Sequence, residues 1–151
     1  MEDQILEAVG VDFIDESETL TPADDSNFTN KKYFRCPFVC GFRDLGKALR
    51  RIAEGAAMVR TAGNRSENVA EAVRNLRSVL GHVRRLQIIG KDELYTFVKG
   101  INAPFELVKL KKQLGRLQVI VFRFGGIVTP TDAAMLMQIG CDGVFCGFFC
   151  L

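Results

Sequence analysis

The chain has 151 residues, enough for about one domain. With 48% hydrophobic residues, 25% charged residues and 4 prolines, it carries too much apolar material and too little bias to be disordered or collagen-like. Twenty Lys and Arg against 18 Asp and Glu leave a net charge of +2, which announces neither a nucleic-acid nor a membrane surface.

The first residues, Met1-Glu2-Asp3-Gln4, are acidic and lack the basic and apolar runs of a secretory signal. No stretch approaches the ~20 apolar residues that span a bilayer, so the cytosol is the expected compartment. Val11-Asp12-Phe13-Ile14 reads as a first strand, with Asp15, Glu16 and Glu18 at its carboxyl end. The polar residues 19–32 read as a long loop rather than a linker. Phe38-Val39-Cys40 is a second strand. Asp44 then caps a helix with Leu45, Leu49, Ile52 and Ala53 inside and Arg50, Arg51 and Glu54 outside. Residues 57–60 form a third strand that ends in Arg60. Ser66 is the expected cap of a longer helix facing inward with Val69, Val73, Leu76, Leu80 and Val83, with Arg74 and Arg77 sharing another face. Leu94, Phe97, Val98 and Ile101 continue the helical spacing, and Pro104 opens a further segment through Leu107, Leu110 and Leu114. Val119-Ile120-Val121-Phe122 is a fourth strand. Thr129 and Pro130 cap and open a helix with Ala133, Ala134 and Met137 inward, and residues 143–146 close the series as a fifth strand.

Continuously apolar strands alternating with helices predict an α/β fold, a single domain over residues 1–151, with parallel strands buried on both faces. Ligand sites in such folds lie at the carboxyl ends of the strands. The Gly125-Gly126 turn before Thr129, and Gly147, are there free to bring backbone N–H groups close to an anion, or simply to turn tightly. Arg60, Arg74 and Arg77 could grip a phosphate, or form ordinary surface pairs. The basic pairs 31–32, 50–51, 84–85 and 111–112 are scattered, as on solvated helix faces. Five cysteines without export features predict reduced, buried thiols, and the single His82 leaves no metal set and no catalytic triad.

Several long motifs then carry a resemblance. They are residues 10–18 with Leu20-Thr21-Pro22-Ala23-Asp24, Pro37-Phe38-Val39-Cys40-Gly41, residues 48–58, 68–74 and 112–117, and Gly125 through Cys146. Together they resemble the PdxS/SNZ family, the synthase subunit of pyridoxal 5'-phosphate synthase. The resemblance implies an incomplete (β/α)8 TIM barrel, comprising strands four to eight of the family pattern. It implies the chemistry of a carbon–nitrogen lyase that builds the B6 vitamer from a pentose phosphate, a triose phosphate and ammonia from a glutaminase subunit. Family barrels assemble into hexameric rings that pair as dodecamers, so the expected partners are full-length subunits and the glutaminase, with no nucleic acid, membrane, metal or cofactor.

The same resemblance brings out departures. The family holds sugar-derived intermediates on two lysines. One lies on strand three, outside the matched pattern, and at the other Arg-Thr-Lys-Gly reads Arg60-Thr61-Ala62-Gly63. The remaining lysines fall in polar loops or on helices. The phosphate loop Gly-Glu-x-Gly-Thr-Gly-Asn becomes residues 63–68, one residue shorter and without its later glycines. Phe-Ala-Ala-Gly-Gly becomes Phe122-Arg123-Phe124-Gly125-Gly126, setting two bulky side chains beside the substrate position, and Gly-Ser-Gly becomes Gly147-Phe148-Phe149. By family match Asp15, Arg77, Gly125, Gly126 and Gly147 keep substrate or phosphate positions, while Ala62 empties the second lysine position. The reading that follows is a catalytically impaired relative, at most a non-catalytic partner of full-length subunits. Its rivals are a contributor to synthesis within a mixed oligomer and an unstable gene fragment.

Overall fold

The computed structural model describes residues 2–17, 30–61, 68–114, 117 and 119–146. Five strands, β1 (Ile14–Glu16), β2 (Phe38–Phe42), β3 (Met58–Thr61), β4 (Ile120–Phe124) and β5 (Gly143–Phe145), form one sheet in that order, and every neighbouring pair is parallel. Parallel neighbours require crossovers, which helices supply from β2 to β5. Helix α1 (Glu2–Val9) leads into β1, and α2 (Leu45–Glu54) joins β2 to β3. Helices α3 (Val69–Ile88), α4 (Lys91–Ile101) and α5 (Phe105–Leu114) lie between β3 and β4, and α6 (Pro130–Ile139) lies between β4 and β5. The fold is parallel α/β, and its sequential strand order is consistent with part of a barrel.

Local chemistry sets the helix ends. Asp44 caps α2 by accepting from Lys47 N at 2.8 Å, and Gly55 closes that helix in the left-handed region at φ 106°. Thr129 and Asp132 form a reciprocal capping box with Pro130 in the first turn of α6. The cap of α3 is Asn68, whose side chain accepts from Glu71 N at 2.9 Å. Ser66, the expected cap, lies outside the described residues.

One face of the sheet carries the main core. Phe38, Cys40, Phe42 and Val59 from the strands meet Leu45 and Leu49 of α2, Val79, Val83 and Leu86 of α3, and Val108 of α5. Each large apolar side chain buried here contributes about 1.5–3 kcal/mol, so truncating Phe42, fully buried, to Ala costs about 3–5 kcal/mol. A smaller cluster of Ala72, Leu76, Ile127, Leu136 and Cys141 seats α6 on α3 and β5.

The opposite face corrects the expectation of strands buried on both sides. Burial alternates along β1, β3 and β4, and Ile120 and Phe145 stand 46% and 40% exposed on the side away from the main core. Strand register and helix phase also differ in detail. Strand β1 begins at Ile14 rather than Val11, and β4 begins at Ile120 rather than Val119 and runs on to Phe124. In α6 the buried residue is Leu136, while Ala134 and Met137 are exposed. In α3 the buried stripe of Ala72, Leu76, Val79, Val83 and Leu86 keeps Leu76 and Val83 of the expected one, while Val69, Val73 and Leu80 are half-buried at its margin. Arg51 is buried, not outside, because it faces charged partners from β1 and its own helix. Cys36, Cys40 and Cys141 are buried thiols, whereas Cys146 is exposed. His82 sits half-buried in α3 with its ring edge-on to Phe97.

Candidate functional site

Residues in register on a parallel pair point to the same face, and alternate residues of a strand point to opposite faces. The registers Asp15↔Val39, Gly41↔Arg60, Arg60↔Phe122 and Phe124↔Phe145 therefore collect Asp15, Gly41, Arg60, Phe122, Phe124 and Phe145 on the open face. Asp15, Gly41, Arg60, Phe124 and Phe145 lie toward the strands' carboxyl ends. Arg60 Nε donates to Asp15 Oδ1 at 2.8 Å, so a β3 side chain crosses β2 to reach β1. Neighbouring strands lie about 4.8 Å apart. The crossing passes over Gly41, which has no side chain to obstruct it. The Arg60 guanidinium also lies 5.0 Å from the Phe124 ring centroid, a cation–π contact. Phe145 packs on Phe122 and Phe124 with centroid separations of 4.8 and 6.4 Å. The result is one fixed charge pair bordered by an aromatic cluster.

Beside this face, β4 runs into Gly125 and Gly126, both at positive φ (84° and 72°). A Cβ on Gly126 would meet Asn68 O at 3.0 Å and the Ala72 Cβ at 3.2 Å, so this loop lies against the first turn of α3. Arg123 does not stand beside Phe124, as the sequence comparison suggested. Alternation turns it to the helix layer, where it is fully buried and Nη1 donates to Thr61 Oγ1 at 2.9 Å. Only one of the two bulky residues therefore reaches the open face. Arg77 is exposed on α3, about 13 Å along the helix axis from the Asn68 cap. It shares a groove with Leu80, Arg84, Gln138 and Ile139, apart from Asp15 and Arg60. Ala62 and Gly147 lie outside the described residues.

A second charged group escaped the sequence reading. Lys31, expected in a polar loop, is 3% exposed in a short 3-10 turn, Lys31–Tyr33. Its Nζ lies 2.6 Å from Glu16 Oε2 and 2.8 Å from Glu54 Oε2, and Arg51 Nη1 lies 3.0 Å from the same Glu54 oxygen. Burial alone would lower the Lys31 pKa, but the hydrogen bonds to Glu16 and Glu54 outweigh it and leave it raised. The ammonium is thus held protonated. Cys40 Sγ approaches Glu16 Oε2 at 3.5 Å, and burial, aided by that carboxylate against Lys31, pushes its thiol up to about 12. No sequence spacing signals this cluster, because its members come from β1, a loop, β2 and α2.

Among the described residues, no group of three or more His, Cys, Asp or Glu is placed to hold a metal ion. No described helix is long and apolar enough to cross a membrane.

The SOR/SNZ family profile matches residues 1–124. A Ginkgo biloba protein named "Probable pyridoxal 5'-phosphate synthase subunit PDX1" is 63% identical over 148 residues, which are 97% of this chain and 48% of the relative. The pyridoxal 5'-phosphate synthase subunit PDX1 of Phaseolus vulgaris is 59% identical, with 97% of this chain and 47% of the relative covered. The subunit PdxS of Roseiflexus sp. is 60% identical, at 97% and 50% coverage. The chain spans about half the length of the curated relatives it matches.

Proposed function

The chain belongs to the SOR/SNZ family, and from that premise we propose that it is a synthase-subunit-like protein of vitamin B6 biosynthesis, impaired in catalysis and acting as a non-catalytic partner of full-length subunits. On this reading its five strands correspond to strands four to eight of a (β/α)8 barrel, its compartment is the cytosol, and the glutaminase subunit belongs to the same assembly.

One observation carries the proposal: Ala62 stands where the resemblance puts an imine-forming lysine. Imine formation needs a neutral amine whose lone pair attacks the sugar carbonyl, after which the carbonyl oxygen leaves as water. A methyl group has no lone pair. Lys31 does not substitute, because its ion pairs with Glu16 and Glu54 keep its nitrogen protonated. Asp15, Gly125, Gly126, Gly147 and Arg77 remain as the proposed substrate or phosphate contacts, now without a covalent anchor.

Purified chain supplied with a pentose phosphate, a triose phosphate and an ammonium salt is expected to form no B6 vitamer, followed by its absorbance and by chromatography. Borohydride treatment in the presence of the pentose phosphate is expected to leave no adduct by mass spectrometry. Turnover, or an adduct on any side chain of this polypeptide, overturns the proposal.

A second reading, contribution to synthesis within a mixed oligomer, is favoured by the intact Asp15–Arg60 pair at the strand ends. Mixing the chain with a full-length subunit lacking its own strand-six lysine separates the two, since only the second reading expects product.

A further inference from the structure

The groove that holds Arg77 is the narrow end of a larger hollow. Past Leu80, Arg84 and Ile139, which border both parts, it widens into a cavity of about 790 Å³ between α3, α6 and the start of β4, while the end beside Arg77 measures about 410 Å³. Cavities that hold small ligands ordinarily run to about 300–1,000 Å³ and are mostly apolar, with a few convergent polar groups. Every lining residue here is a described one, and the flanking helices pack on each other through Ala72, Leu76 and Leu136.

The lining is divided by chemistry. In the wide part Val83, Leu117 and Val121 are buried, and Leu80, Val119 and Ile139 stand half-buried around them. The acid of that part, Asp142, is already engaged with β4: its Oδ2 accepts from Val121 N at 2.9 Å, and its own N–H donates to Val121 O at 2.9 Å. At the narrow end the polar lining is Arg77, Arg84 and Gln138, with no carboxylate among them. Neither arginine makes an ion pair or hydrogen bond among the described residues. Seven positions apart, they lie about 10.5 Å from each other along α3 and on nearly the same side of it.

We propose that this hollow binds a small amphipathic anion, a carboxylate with an unbranched hydrocarbon tail. Arg84 holds the head, with Arg77 and Gln138 beside it, and the tail lies in the wide part against Leu80, Val83 and Ile139. A guanidinium meets a carboxylate through parallel N–H donors, and removing the methylenes from water supplies the rest of the affinity. A sugar phosphate suits the wide part less, because its hydroxyls would meet Val83, Leu117 and Val121 without hydrogen-bond partners. Two unpaired arginines turn a cation away. Arg77 is the one residue shared with the substrate contacts proposed above, so the head is assigned to Arg84, and the site stands whether or not the chain makes a B6 vitamer.

Isothermal titration calorimetry of the native chain with sodium decanoate, kept below its micelle concentration, is expected to show saturable binding at one site per chain. Decyltrimethylammonium and inorganic phosphate are each expected to bind at least about tenfold more weakly. Arg84→Gln is expected to weaken decanoate at least about tenfold, as loss of a charged hydrogen bond does. The control Arg85→Gln, exposed on the same helix outside the hollow, is expected to leave binding unchanged. Absent or unsaturable uptake by the native chain overturns the proposal, as does equal affinity for the cation or for phosphate, or an Arg84→Gln variant that binds like the native chain. Glyceraldehyde 3-phosphate bound more tightly than decanoate gives the hollow to a triose phosphate and overturns it too. If Arg84→Gln loses its helical circular dichroism, methyl resonances of the native chain decide. Those of Leu80, Val83 and Ile139 are expected to shift with decanoate while Val59, in the main core, stays in place, and unmoved resonances at all three overturn the site.

Discussion

Lys31 Nζ stands 2.6 Å from Glu16 Oε2, with both side chains withdrawn from solvent, so a loop cation is locked to the last residue of β1. Glu54 and Arg51 complete the cluster from α2. Breaking a buried pair costs more than forming it gains, because the abandoned charge has lost its water. Lys31→Met is therefore expected to destabilise the chain by about 3–5 kcal/mol in urea unfolding. Combining it with Glu16→Leu is expected to recover part of that loss. A single variant within experimental error of the native chain would show that the cluster contributes little.

Alkaline conditions act on the same cluster. The Cys40 thiol is raised from 9.0 to about 12 in the folded chain. Below pH 9 both states hold the proton, and above it the unfolded state releases the proton first, so stability falls as pH rises from 9 toward 12. Lys31, raised above 10.5, adds to the loss above that pH in the same direction. The slope from one such group is at most about 1.4 kcal/mol per pH unit. Urea midpoints across this window are expected to decline in the native chain and to decline less steeply in Cys40→Ala.

Two glycines give opposite expectations for the same substitution. Gly126→Ala places a Cβ at φ 72° against the Asn68 carbonyl and is expected to cost about 1–3 kcal/mol. Gly81 lies within α3 with nothing within 4 Å of an added Cβ, so Gly81→Ala is expected to gain about 0.5–1 kcal/mol. Thermal melts of the two variants should move to opposite sides of the native value.

The Asp15–Arg60 pair is partly exposed, with the Asp15 side chain 57% accessible. Its coupling in a double-mutant cycle with Asp15→Ala and Arg60→Ala is expected to be about 1 kcal/mol or less, and to shrink in high salt. A coupling of several kcal/mol that ignores salt would contradict the described exposure.

The sequence made the α/β alternation legible because β-branched runs and helical spacing are local signals, and the Asp44 and Thr129 caps followed from local chemistry. Side-chain partnership was not legible. Arg51 carries the charge of a surface residue, yet it is buried with Glu54 of its own helix and Glu16 from another element as partners. Arg123 is a different case, since strand alternation already separates it from Phe122 and Phe124, and the signal was present but overridden by the motif comparison. The exposure of Ile120 and Phe145 could not be read from strands whose composition suits cover on both sides. Within the site, the long motifs identified Asp15 and the Gly125-Gly126 turn, but they gave no hint that Arg60 would be bound by Asp15 and Phe124 together.

The crossing above Gly41 means that β1 and β3 are tied through a gap in the strand that separates them. Any branched residue at that position would raise a fence between the two charges, leaving the guanidinium to Phe124 and the carboxylate to water. The smallest residue in β2 thus leaves room for a direct hydrogen bond that spans three strands.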